Sequence, residues 1–127
     1  MFETILFPID QNRQTLEITS KAMQLAKSHQ SHIIMLAVAQ SEHPEMNNTE
    51  LLPSLLKKVQ EQIEQGGVTC DLLEKQGKPA FVICDVADDL NVDLIVMGTR
   101  GINLKANSQS TAARVIQLAP CPVLVVP

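Results

Sequence analysis

Aromatic side chains are nearly missing from this chain: it holds three phenylalanines and neither tryptophan nor tyrosine. A flavin carrier usually stacks its ring on aromatics, so that class fits poorly. The core must be aliphatic, built from Ile, Leu, Val, Met and Ala. Long apolar runs are missing as well. No stretch approaches the ~18 residues of a membrane span. The opening "MFETILFPID" has neither the basic region nor the apolar run of a signal peptide. Cysteine is sparse: Cys70, Cys84 and Cys121 form no C-x-x-C pair, which argues against a disulfide framework or a structural zinc site. Reduced, mostly buried thiols in a cytoplasmic protein are the simplest expectation. A basic balance is also absent. The net charge is −4, whereas a binder of nucleic acid carries a basic face.

Enzyme signatures are missing too. There is no G-x-x-x-x-G-K-[ST], no G-x-G-x-x-G after the first apolar run and no G-x-S-x-G. No nucleophile, base and orienting acid can be paired. This argues against a dedicated enzyme and leaves, at most, weak nucleotide hydrolysis. A phosphorelay receiver needs an acidic cluster after the first strand and an Asp after the third, where this chain has "EKQGKP".

What the chain does contain is alternation. Its 127 residues suit one domain, 1–127, long enough to bury a core without staples. Apolar runs lie at 4–9, 32–38, 68–74, 93–97 and 122–126. Four are nearly continuous, as in strands covered on both faces. Helical stripes fill the gaps: Leu16, Ala22, Met23 and Ala26; Leu52, Leu55, Leu56, Val59 and Ile63; Ile83, Val86, Ala87 and Leu90; Ala112, Val115, Ile116 and Ala119. Gly66-Gly67 should end the second helix, and Pro53 fits only in its first turn. The order β-α-β-α-β-α-β-α-β predicts an α/β domain with an open parallel sheet, right-handed crossovers and helices on both faces.

Such sheets bind ligands beyond the carboxyl ends of their strands. Four connections meet there, after Ile9, Val38, Glu74 and Met97. The last is the most suggestive. Residues 94–127 hold three basic side chains and no acidic one, against 7 basic and 14 acidic in residues 1–93. Gly98 and Gly101 can take positive φ and let a ligand approach the backbone. Ser108, Ser110 and Thr111 lie where a helix wants its cap, and the free amides of that helix would favour an anion. A turn followed by an N-cap explains the same residues. Asp10 could accept hydrogen bonds from a ligand or cap the next helix. Arg100 could reach a phosphate or stand free in solvent, while Lys105 and Arg114 read as solvated. His29 and His32 have metal-pair spacing but no third ligand nearby, so a solvated surface is expected. Asp85, Asp88, Asp89 and Asp93 read as a solvated acidic face. Cys121, between two prolines, should be buried and inert.

At these residues the chain resembles the universal stress protein family, over nearly its whole length. "TILFPID" is similar to the family's first strand, with Pro8 and Asp10 at its end. "GKPAFVICDVADDLNVDLIVMGTRG" is similar to its third helix and fourth strand, and "STAARVIQLAPCPVLVVP" to its last helix and strand. The resemblance implies a Rossmann-like, adenine nucleotide alpha hydrolase-like sheet of order 3-2-1-4-5. It also implies a homodimer joined through the last strand, Val123, Leu124, Val125 and Val126.

Many members bind ATP, and others do not. Binders carry G-x-x-G, nine residues, then G-[ST]. Gly98 and Gly101 match the first half. Gln109-Ser110 falls against the second after a spacer of seven, with Gln in place of Gly. By resemblance, ATP or AMP, with Mg, would use Pro8, Asp10, the backbone at Val38, Met97, Gly98, Arg100, Gly101, Gln109, Ser110 and Thr111. The altered spacer supports a second reading, in which a dimeric member binds no nucleotide and works through protein contacts.

Overall fold

The computed structural model describes residues 2–9, 15–39, 51–98 and 111–127. The chain alternates strand and helix: β1 (Thr4–Ile9), α1 (Thr15–His29), β2 (His32–Ala39), α2 (Leu51–Gln65), β3 (Cys70–Gln76), α3 (Pro79–Asp89), β4 (Leu94–Gly98), α4 (Thr111–Leu118) and β5 (Val123–Val126). The five strands form one sheet of order β3-β2-β1-β4-β5, and every pairing is parallel. The continuous apolar runs thus become strands covered on both sides, as parallel pairing requires.

Two aliphatic cores flank the sheet. On one side α1 and α2 lay Ile18, Ala22, Ala26, Leu56, Val59 and Ile63 over Ile5, Phe7, Ile33, Met35 and Val96. On the other, α3 and α4 lay Ile83, Val86, Ala87, Ala112 and Val115 over Leu6, Leu36, Ile95 and Met97. The alternation along each strand divides the two cores. Burying each large aliphatic side chain contributes about 1.5–3 kcal/mol, which offsets the conformational entropy of ordering the chain.

Three expectations about the core need correction. Leu90 is 44% exposed, because α3 ends before it: Leu90 is the C-cap, with φ −99 and ψ 5. Ile116 is 57% exposed and Leu16 42%; each lies at the margin of its helical stripe, beyond the arc that faces the sheet. The third strand also starts two residues later than its apolar run suggests. Val68 is buried, but its amide bonds back to the Ile63 carbonyl, so it closes α2. Gly67, at φ +86, makes that reversal, as expected of a glycine after a helix. The connection after the third strand therefore follows Gln76, not Glu74. Pro53 is the third residue of α2, within the first turn.

Polar contacts fix the amino end of the sheet. The Thr4 amide donates to Asp93 Oδ2 at 2.9 Å, and the Asp93 amide donates to the Thr4 carbonyl at 2.9 Å. These bonds pin β1 to the start of β4, so Asp93 does not belong to a solvated acidic face. The hydroxyl of buried Ser31 donates to the Phe2 carbonyl.

Candidate functional site

The strand order fixes the topological switch point of the sheet. The chain runs outward from β1 through β2 to β3, then returns to β4 and continues to β5. The reversal falls between β1 and β4. Crossovers leave from opposite sides of the sheet there, and in sheets of this kind ligands bind beyond the carboxyl ends of the strands at such a point. Of the sequence-derived candidates, Pro8, Val38, Met97 and Gly98 lie at the carboxyl ends of β1, β2 and β4. Thr111 opens α4 and is half-buried. Asp10, Arg100, Gly101, Gln109 and Ser110 lie outside the described residues, as do Lys105 and Ser108.

The described candidates divide between the two faces. Met97 is buried in the α3–α4 core, and Val38 packs against it. Strand alternation puts Pro8 on the same side as Leu6. Gly98 lies on the other side, level with Val126 of β5. Its backbone is ordinary strand; the glycines with positive φ among the described residues are Gly67 and Gly77. What a side chain at 98 would meet is a packing neighbour. A Cβ there would intrude on Ile18 Cδ1 of α1. Ile18 is buried and reaches Gly98 from α1. The expected use of Gly98 for a left-handed turn is thus corrected: it admits a neighbouring side chain.

The two histidines do not converge. The His29 ring meets Phe2 edge-on at 5.2 Å between centroids. His32 bridges two strands: its Nδ1 lies 2.7 Å from Thr69 Oγ1 and its Nε2 lies 2.9 Å from Asp71 Oδ2. This network ties edge strand β3 to β2. Both ends are solvent-exposed, where such pairs add little stability. Sequence reading missed it because its members are 37 and 39 residues apart. Arg114 is less free than expected, with its guanidinium 5.9 Å from the centre of the Phe81 ring. Among the described residues no group of three or more His, Cys, Asp or Glu side chains is placed to hold a metal ion.

A shallow cavity of about 280 Å³ lies at the opposite end of the sheet, between the end of α1 and the α2–β3 turn. Ala26, Lys27, Gln30, Ser31, Gly67, Val68 and Thr69 line it. It contains none of the candidate residues, and Lys27 and Gln30 are exposed. The switch point is the better site on topological grounds.

The two sheet edges differ in a way that bears on assembly. The outward edge of β3 carries Asp71, Glu74 and Lys75, all exposed. Charges of this kind blunt an edge strand against pairing with another chain. The edge of β5 carries none: no residue after Arg114 has a charged side chain. Leu124 is 44% exposed, and Val123 and Val125 are half-buried. Among the described residues no helix is long and apolar enough to cross a membrane.

Comparison with known proteins agrees with this architecture. The sequence profile of the universal stress protein family matches residues 1–127. Universal stress protein Sll1654 of Synechocystis sp. is 43% identical over 136 aligned positions, which span all of this chain and 87% of that protein. A universal stress protein crystallised in complex with cAMP superposes with a TM-score of 0.79 at 20% identity, covering 98% of this chain and 96% of that one. The universal stress protein from Archaeoglobus fulgidus in complex with dAMP superposes with a TM-score of 0.79 at 18% identity, over 100% of both chains.

Proposed function

Because this chain belongs to the universal stress protein family, we propose that it is a cytoplasmic stress-response protein that binds an adenine nucleotide, ATP or AMP, at the switch point between β1 and β4. The observation that carries this reading is the convergence of three strand ends there, Pro8–Ile9, Val38–Ala39 and Met97–Gly98. The half-buried apolar side chain of Val38, at the carboxyl end of β2, suits a base. The acid-free segment that follows Gly98 suits phosphates, and Mg would accompany ATP. The cAMP and dAMP complexes of similarly folded proteins support the choice of adenine. No side chain is assigned as a catalytic base, so the nucleotide acts as a signal, with hydrolysis at most weak.

Gly101, Arg100, Gln109 and Ser110 supply the phosphate grip in this reading, with Asp10 accepting hydrogen bonds from the sugar or base. Gly101→Val puts a branched side chain where the backbone must approach phosphate. We expect it to weaken ATP binding at least tenfold, about 1.4 kcal/mol, with Tm little changed. Unchanged affinity, measured by displacement of a fluorescent ATP analogue, would move the site elsewhere.

A second reading has its own support. A side chain at the first glycine of the motif would meet Ile18, and Gln109 replaces the later glycine. A member that lost its phosphate grip would keep Gly98 for the core alone and act through protein contacts. In both readings the protein is a symmetric homodimer joined through β5, whose edge is uncharged and apolar.

A further inference from the structure

One polar network has no part in the proposed nucleotide site. His32 opens β2, Thr69 immediately precedes β3 and Asp71 is the second residue of β3. Strand alternation turns Thr69 and Asp71 to one side and Cys70 to the other. Parallel pairing of Ile33 with Cys70 brings His32 alongside them. The backbone fixes this placement: the Ile33 amide donates to the Thr69 carbonyl at 3.0 Å, and the His32 amide to the Glu3 carbonyl at 2.8 Å. His32 Nδ1 then lies 2.7 Å from Thr69 Oγ1, and Nε2 lies 2.9 Å from Asp71 Oδ2. A carboxylate only accepts hydrogen bonds, so Nε2 carries a proton, and Nδ1 of the neutral ring is an acceptor. The Thr69 hydroxyl donates to it. Two nearby serines have no such base: Ser28 donates to the Gln24 carbonyl at 3.0 Å, and Ser31 to the Phe2 carbonyl.

We propose that Thr69 is a modification site, at which the protein takes a short acyl group from an activated donor, an aryl ester or a thioester. Thr69, His32 and Asp71 hold the relative roles of nucleophile, base and orienting acid, with the two ring nitrogens exchanged from the serine-protease arrangement. Thr69 Oγ1 attacks the acyl carbon, and its proton passes to His32 Nδ1. The Asp71 carboxylate stabilises the imidazolium that forms. The tetrahedral adduct then collapses: the bond to the leaving group breaks with its electron pair, and the departing phenolate or thiolate takes the proton from His32. Thr69 ends as an ester and the donor as a free phenol or thiol, with no oxidant or reductant consumed.

Exposure suits the network to this use. Thr69 and Asp71 are exposed and His32 is half-buried, so a small donor reaches the hydroxyl directly from solvent. The same exposure makes the network a weak contributor to stability. Acylation removes the proton that Thr69 gives to His32. It loosens the side-chain tie between β2 and β3 and leaves their ladder of backbone bonds in place. The network lies at the amino ends of these strands, opposite the nucleotide site, so neither proposal rests on the other.

The test is to incubate the full-length protein with p-nitrophenyl acetate, quench early in acid and map acetylated residues by tandem mass spectrometry. Alkaline hydroxylamine removes an ester from a hydroxyl and leaves an amide on lysine, which separates the two products. The expected result is a hydroxylamine-sensitive acetyl group on Thr69, at an occupancy roughly tenfold or more above that of Ser28. Ser28 is an exposed hydroxyl of the same chain without a base, and as a primary alcohol it is the less hindered of the two. The comparison needs no variant, so a poorly folding substitution leaves it intact. His32→Gln and Asp71→Asn, checked for folding by circular dichroism, should each lower Thr69 occupancy, His32→Gln by roughly tenfold or more. Absence of an ester on Thr69 would overturn the proposal. So would equal occupancy of Thr69 and Ser28, or unchanged acetylation of Thr69 in a folded His32→Gln variant.

Discussion

Leu124→Asp is expected to convert the proposed dimer into a monomer, halving the mass measured by light scattering at tens of micromolar. Leu124 is the exposed apolar residue at the centre of β5, and β5 is an edge strand. A two-fold interface uses the same patch from both chains, so one substitution places two carboxylates in it. Burying an unpaired charge costs several kcal/mol. Two of them, repelling each other, would raise the dissociation constant by roughly 1,000-fold or more. Fold stability of the single chain should change little, because Leu124 contributes little to the core in the isolated chain. As a control, a charge reversal on the other edge, Lys75→Glu on β3, should leave the mass unchanged. A wild-type chain that is already monomeric would remove β5 pairing from the account.

The second large effect concerns Gly98 and separates packing from binding. Gly98→Ala should lower stability by about 1–2 kcal/mol, because the added carbon overpacks against Ile18. For a domain of this size that is a fall in Tm of roughly 3–10 °C. Ile18→Val removes the obstructing Cδ1 and alone costs about 0.5–1.5 kcal/mol. In that background Gly98→Ala should cost nothing, or stabilise by a few tenths of a kcal/mol, since replacing Gly reduces the freedom of the unfolded chain. The non-additivity of this cycle, about 1 kcal/mol or more, is the signature of direct contact. Additive costs would mean that Gly98 is required for some other reason. If the double variant folds well but has lost nucleotide, Gly98 serves the ligand as well as the core.

Much of the fold was legible because hydrophobic pattern and burial coincide. β1, β2 and β4 are continuous apolar runs, and their central residues are almost wholly buried between two helical layers. The pattern failed where local chemistry competes with it. Val68 has the character of a strand residue, but Gly66 and Gly67 free the chain to fold it back onto α2. Leu90, Ile116 and Leu16 continue helical stripes arithmetically, yet a stripe states only which side a residue is near. It does not say whether the sheet extends beneath it. Ile18 and Thr19 are buried although they were absent from the expected stripe of α1.

For the candidate site, the sequence indicated an end of the sheet more than an arrangement of side chains. Alternation of strand and helix pointed to the carboxyl end of the sheet, and the observed order puts the topological switch between β1 and β4. The contribution of Gly98 was not visible, because a glycine that makes room for a distant side chain looks like one that turns the chain. Ile18 is far from it in sequence, and only the packing of α1 on β4 joins them. The Thr69–His32–Asp71 network was hidden for the same reason. Its single sequence signal was the polar character of positions flanking two strand starts.

The central claim is that the crevice binds an adenine nucleotide, and one titration tests it most directly. The purified protein would be stripped of nucleotide and titrated with Mg-ATP by calorimetry, with displacement of a fluorescent ATP analogue as the second probe. Saturable binding at micromolar ATP, with one site per chain, is the predicted result. Silence from both probes at millimolar ATP would contradict it, and would leave the protein-contact reading with Gln109 and the shortened spacer as its cause.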